Sequence, residues 1–162
     1  IKAWALIAND FPDWSVKIFG GGDQLLSASL QNYIDQDKIP NAALCGETSH
    51  LNAELQKASI YAMTSATECF PMVLLEALNA GLPVVSYDCP NGPRNIISDG
   101  VDGLLTPHNE IAIFAQTLAR LIKDENLRLQ MELAGPKNAT RFSAHKVMQQ
   151  WNTLLIKITA NV

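Results

Sequence analysis

The chain has 162 residues, 48% of them apolar and 17% charged, which is enough length and apolar content for one domain to bury a core. A net charge of -4 leaves no basic footprint for a phosphate backbone or an anionic membrane surface, and no apolar run reaches the roughly 18 residues a membrane span needs. Nucleic acid and a transmembrane role are therefore not expected.

The opening "IKAWALIANDFPDW" reads as the second half of a helix stopped at Pro12, since proline and its preceding residue resist helix continuation. The chain is thus expected to be a fragment of something longer. "SVKIF" (Ser15 to Phe19) predicts a strand, and Gly20 to Gly22 permit a sharp turn into a helix from about Asp23, a suitable N-cap, to Gln36. "AALC" (Ala42 to Cys45) is the next strand, followed by a short helix over Leu51 to Lys57 and a buried strand within Ala58 to Ser65.

Pro71 suits a helix start, and "MVLLEALNA" runs to Gly81, which suits a C-terminal cap. Pro83 to Tyr87 is an almost wholly apolar strand, "GPRNII" a single helical turn, and Gly103 to Thr106 a final strand. Two helices are expected to close the chain, Glu110 to Lys123 and about Ser143 to Thr159, the last with Val147, Trp151, Leu154, Leu155 and Ile158 on one side. Apolar strands alternating with helices predict an α/β domain, a Rossmann-like doubly wound parallel sheet covered on both faces, with its first strand missing.

Chemistry-bearing residues concentrate between 66 and 97, where Glu68 and Glu76 stand eight positions apart around a short apolar run. In open α/β sheets, ligands bind beyond the carboxyl ends of the strands, and Glu68 lies in such a strand-to-helix loop. At about 100° per residue, Leu74, Leu75 and Leu78 share one side of the helix and Glu76 lies almost opposite, beside Met72 and Asn79. Two readings stand side by side. Glu76 is an ordinary solvated residue and Glu68 favours the positive helix end, or the free N–H groups of Phe70, Met72 and Val73 receive a phosphate while Glu76 accepts hydrogen bonds from a ribose diol.

The stretch "ATECFPMVLLEALNAGLPVVSYDCPNGPRNIISDGVDGLL" resembles the C-terminal, donor-binding half of the retaining group 1 glycosyltransferases of GT-B fold, through E-x7-E followed by "GLPVV". The resemblance runs from "FPDWSVKIFGGG" through "NAALCGETSHLNAEL" to the closing helices. It implies that residues 1–162 are one half of a two-domain enzyme, with the N-terminal acceptor domain, roughly 150 to 200 residues, absent. It also implies that Glu68 stands at the donor sugar as the catalytic carboxylate and that Glu76 binds the ribose. The backbone from Cys69 through Phe70, Pro71, Met72 and Val73 would hold the diphosphate and sugar hydroxyls, and Gly46 and Glu47 would meet the nucleobase.

The activity so implied is transfer of a hexose from a nucleoside diphosphate sugar, with UDP expected, to a saccharide or lipid-linked saccharide acceptor in bacterial surface polysaccharide assembly. No cofactor and no metal are expected, since helix-end amides and basic side chains stabilise the departing diphosphate. Two positions depart from the family pattern: Cys69 stands where glycine is usual, and Asn95 where glutamate is usual.

The cysteines Cys45, Cys69 and Cys89 are an odd number with no CxxC spacing, which points to buried or partly buried free thiols, a reducing compartment and the cytoplasm. Gathered beyond the strands with His50 or His108 they could in principle form a metal site, but gaps of 24 and 20 residues lack the paired close spacing of zinc sites. No GxSxG elbow or triad pattern surrounds His50, His108 or His145. Asp88 and Arg94 either form a loop ion pair or line the donor crevice, and the structural role is the one favoured. The alternative to an enzyme is a sugar-nucleotide-binding or regulatory module without transferase activity, because fold does not fix function.

Overall fold

A computed structural model describes residues 1–159. In chain order its elements are α1 (Lys2–Ala5), a 3-10 turn (Ala8–Asp10), β1 (Val16–Phe19), α2 (Gln24–Gln36), β2 (Ala42–Gly46), α3 (Leu51–Leu55), β3 (Tyr61–Met63) and α4 (Met72–Asn79). They continue with β4 (Val84–Tyr87), α5 (Pro93–Ile96), β5 (Gly103–Thr106), α6 (Ile111–Lys123), α7 (Glu125–Ala139), a 3-10 turn (Thr140–Phe142) and α8 (Ala144–Thr159). Among the described residues no helix is long and apolar enough to cross a membrane.

All strand pairings are parallel, as expected of βαβ units. The strands form two hydrogen-bonded groups, β1-β2 and β3-β4-β5, where one continuous sheet was expected. β4 sits at the centre of the larger group with Tyr61, Val84 and Gly103 in register. Its side chains alternate between two cores, the period-2 signature of a strand covered on both faces. Val85 and Tyr87 join Trp4, Ile7, Ile34, Leu104 and Phe114 on one side. Val84 joins Leu55, Met63, Leu74, Leu78 and Ile96 on the other. In the smaller group only one face is covered: Val16, Ala42 and Leu44 pack inward, while Lys17, Ala43 and Cys45 are exposed.

Local chemistry explains most boundaries. The Asp23 carboxylate accepts from the N–H of Leu25 at 2.8 Å and caps α2. Gly81 ends α4 at φ 78°, a conformation costly for other residues.

α7 corrects the expectation of two closing helices: there are three. The Asp124 carboxylate accepts from Leu127 N–H at 2.9 Å to start it, and Pro136 lies inside it. Its buried stripe is Met131, Gly135 and Ala139, whereas Leu129 and Leu133 are exposed. α7 packs on α4 so closely that a Cβ on Gly135 would stand 3.0 Å from the carbonyl oxygen of Leu78.

Two cysteine expectations also change. Cys89 is fully buried, but Cys45 and Cys69 are exposed, because Cys45 lies on the uncovered face of β2 and Cys69 on the β3–α4 loop.

Candidate functional site

The carboxyl ends of the parallel strands carry the loops that matter. β3 ends at Met63 and leads through residues 64–71 into α4, with Pro71 as its N-cap. Proline lacks an N–H and presents no side-chain acceptor, so the cap leaves the first amides of the helix uncovered. Leu74 N–H turns back to the Pro71 carbonyl at 3.0 Å. Among the described residues the N–H groups of Phe70, Met72 and Val73 meet no acceptor. Such amides at the positive end of a helix dipole suit an anion.

One turn further along, Glu76 is exposed beside Met72 and Asn79, while Leu74, Leu75, Ala77 and Leu78 are buried, as the helical count requires. Glu76 forms one wall of a cleft of about 500 Å³. The facing wall is the β2–α3 segment, from Ser49 and His50 through Leu51, Asn52 and Ala53 to Gln56. A carboxylate there is free to accept two hydrogen bonds from vicinal hydroxyls. A larger depression, about 670 Å³, lies between the end of α6 and the start of α7, at the opposite edge of the sheet and away from these loops. Ligand chemistry in open α/β sheets belongs to the carboxyl edge, so the Glu76 cleft is the candidate site.

Glu68 is half-buried in the β3–α4 loop and packs against the β4–α5 loop, where Gly92 adopts φ 130°. That second loop is tied by Arg94, whose Nε donates to Asp88 Oδ1 at 2.8 Å and whose Nη2 pairs with Oδ2, which is the expected loop ion pair. Tyr61 records how much negative charge gathers here: burial, then Glu68 and Glu76, push its phenol up to about 12. Burial and Glu68 likewise push the Cys89 thiol up, so it stays a neutral, inert core group.

The sequence-predicted residues divide into two sets. Glu68, Cys69, Phe70, Pro71, Met72, Val73 and Glu76 lie on one loop and the first turns of one helix. Gly46 ends β2 at φ 69° and accepts from Gly20 N–H at 2.8 Å, extending the β1-β2 ladder by one bond. Glu47 lies against the glycine loop: its carboxylate occupies the space that a Cβ on Gly21 would take. Neither residue lines the cleft. The cleft wall is instead made by Ser49, Asn52, Ala53 and Gln56, a spacing of three, four and seven that a helical count through α3 would have revealed. Among the described residues no three His, Cys, Asp or Glu side chains gather as a metal site.

Fold and site together define a Rossmann-like domain of the GT-B type. The chain belongs to the glycosyl transferases group 1 family, whose model matches residues 1–138. It is 36% identical over 162 residues to an exopolysaccharide phosphotransferase of Streptomyces coelicolor, covering 99% of this chain and 17% of that protein. It is 30% identical over 152 residues to the poly(glycerol-phosphate) alpha-glucosyltransferase of Bacillus subtilis, covering 93% of this chain and 22% of that one. Its fold matches that of S. aureus TarM, solved as a mutant in complex with Fondaparinux, alpha-GlcNAc-glycerol and UDP. The TM-score is 0.87 at 21% identity, over 94% of this chain and 31% of TarM. The chain therefore spans less than a third of the length of each of these three proteins.

Proposed function

We propose that this chain is the donor-binding half of a retaining glycosyltransferase that moves a hexose from a nucleoside diphosphate sugar, UDP in the first instance, to a saccharide acceptor in surface glycan assembly. The observation that carries the reading is the pairing of uncovered amides at Phe70, Met72 and Val73 with Glu76 one turn beyond, on the wall of a 500 Å³ cleft. Diphosphate at the helix start leaves the ribose beside Glu76 and the base against the β2–α3 segment, with Gly46 and Glu47 setting that segment's path. Glu68 then faces the sugar. The amides gain most when the diphosphate departs with its full charge, so they stabilise the transition state more than the bound donor. No metal is required for that step. UDP in the TarM complex and the name of the B. subtilis relative agree with this reading.

The acceptor, saccharide or lipid-linked, would be held by a further domain, in keeping with the greater length of the relatives. Two features of the fold support such a completion. The parallel strands fall into two hydrogen-bonded groups, β1-β2 and β3-β4-β5, which an additional strand could join into one sheet. The apolar side of α8, including Trp151, Leu154, Leu155 and Ile158, is exposed to about half in each case. The intact enzyme would work in the cytoplasm, where nucleotide sugars are its substrate, and this half alone would bind donor without turning it over.

A second reading has one observation in its favour. The Streptomyces relative is named for phosphotransfer, and this chain matches only 17% of it, which fits a sugar-nucleotide-binding module set within a protein of other activity. The test of the main reading is an NMR titration with UDP, GDP and ADP, then UDP-hexoses. Shifts confined to Cys69 to Glu76 and the β2–α3 segment with UDP are expected. No shifts with any of the nucleotides would overturn it, and nucleotide binding without hexosyl transfer by the intact protein would favour the module.

A further inference from the structure

Met72 and Val73 are held by α4 itself, but Phe70 lies ahead of the helix and its N–H meets no acceptor, so the packing of its side chain is what anchors it. Phe70, the one large apolar residue between Glu68 and Pro71, is 42% exposed and meets Phe142 edge-to-face, with ring centroids 5.4 Å apart and planes at 69°. Phe142 is 72 residues away in sequence, in the 3-10 turn between α7 and α8. It is backed by its neighbour Arg141. The Arg141 guanidinium lies 4.8 Å over its ring and reaches across to the end of α5, donating to the carbonyls of Asn95 and Ile96 and to Ser98 Oγ at 3.2 Å. Those carbonyls are the orphan acceptors of a helix end, and an arginine there is both a cap and a favourable charge.

We propose that Phe142 is a positioning residue for the diphosphate amides, acting through Phe70. This rests on the donor reading given above. Edge-to-face pairs are orientation-dependent, so the contact fixes the direction of the Phe70 ring and with it the backbone that presents the Phe70 N–H and enters α4 at Met72 and Val73. Phe142 is not among the residues that line the cleft at Glu76 and the β2–α3 segment, so the two halves of a nucleotide should respond differently to its loss.

The experiment compares UDP with uridine, which carries the base and ribose and no phosphate, by NMR titration of the chain. Phe142→Leu keeps apolar volume and removes the ring edge. It is expected to weaken UDP about threefold to tenfold, the range an aromatic pair supplies, while uridine affinity stays within error. Phe142→Tyr restores UDP affinity. Phe70→Leu gives the same split, and combining it with Phe142→Leu adds nothing further, as two partners in one contact require. Equal UDP affinity in Phe142→Leu and the parent overturns the proposal. So does a parallel fall for UDP and uridine, which would mark a general loosening of the fold. A parent chain that binds no UDP overturns the donor reading instead, and this inference with it.

Discussion

Gly92 packs on Glu68 so tightly that a Cβ added to the glycine would stand 3.1 Å from the Glu68 Cβ and 2.8 Å from Cδ of Pro71. Its φ of 130° lies outside the range side chains tolerate. Gly92→Ala should therefore destabilise the fold by roughly 1 to 3 kcal/mol, the range for a strained backbone residue, measured by urea unfolding. Because the displaced neighbours are Pro71, at the start of α4, and Glu68, affinity should fall for both UDP and a UDP-hexose. Asp88→Asn, which loosens the same loop through an ion pair exposed to solvent, should cost no more than about 1 kcal/mol. An Asp88→Asn variant as damaged as Gly92→Ala would show that the ion pair, not the close approach, sets the loop.

Glu76 is exposed and makes no hydrogen bond or ion pair among the described residues, so its removal should leave stability within about 0.5 kcal/mol. Glu76→Ala should nonetheless weaken UDP binding by about 1.5 to 3 kcal/mol, the range for hydrogen bonds to a charged group. The deciding measurement is a titration alongside a melting curve. Equal UDP affinity in a variant that melts like the parent would remove the ribose assignment.

Those two glutamates were legible in the sequence because one lies in a strand-to-helix loop and the other faces away from three leucines. The same logic placed β5 over Gly103 to Thr106 and α2 behind Asp23, where turn residues and caps mark the ends. α7 escaped because its buried stripe holds one bulky residue, Met131, beside Gly135 and Ala139, small residues that permit close approach to α4, while its leucines at 129 and 133 point to solvent. A pattern search that looks for bulky apolar residues reads that helix inside out, and Pro136 discourages it further. Phe142 was illegible for another reason. Its role depends on a contact across 72 positions, and no local period encodes that.

The close α4–α7 contact gives a stability prediction away from the site. Met131 is fully buried, and Met131→Ala should cost about 2 to 5 kcal/mol through lost burial and a residual cavity. Gly135→Val should also destabilise, since a Cβ there already meets the Leu78 carbonyl at 3.0 Å. Leu133→Ala, at a residue 68% exposed, should be nearly neutral. Denaturant midpoints for the three variants check the ranking. A Leu133→Ala loss comparable to that of Met131→Ala would mean that α7 presents a different face to the core.

Tyr61 supplies a pH dependence whose sign follows from its surroundings. Burial and the charges of Glu68 and Glu76 disfavour the phenolate and raise its ionisation in the folded chain to about 12, against an ordinary value of 10.0. Between those two values the unfolded chain has lost the proton and the folded chain still holds it, so stability falls as pH rises. The stabilisation is complete below pH 10 and is lost through about pH 12, a change on the order of 2 kcal/mol for this group. Tyrosinate absorbance should show a late-titrating component from which Tyr61→Phe removes one phenol, and the variant's stability should decline less steeply over the same window. Bound UDP would add diphosphate charge and displace water beside Glu68 and Glu76, and both effects disfavour the phenolate, so Tyr61 should titrate later still in the complex. An unchanged Tyr61 titration in a UDP-saturated sample would argue that the nucleotide does not reach Glu76.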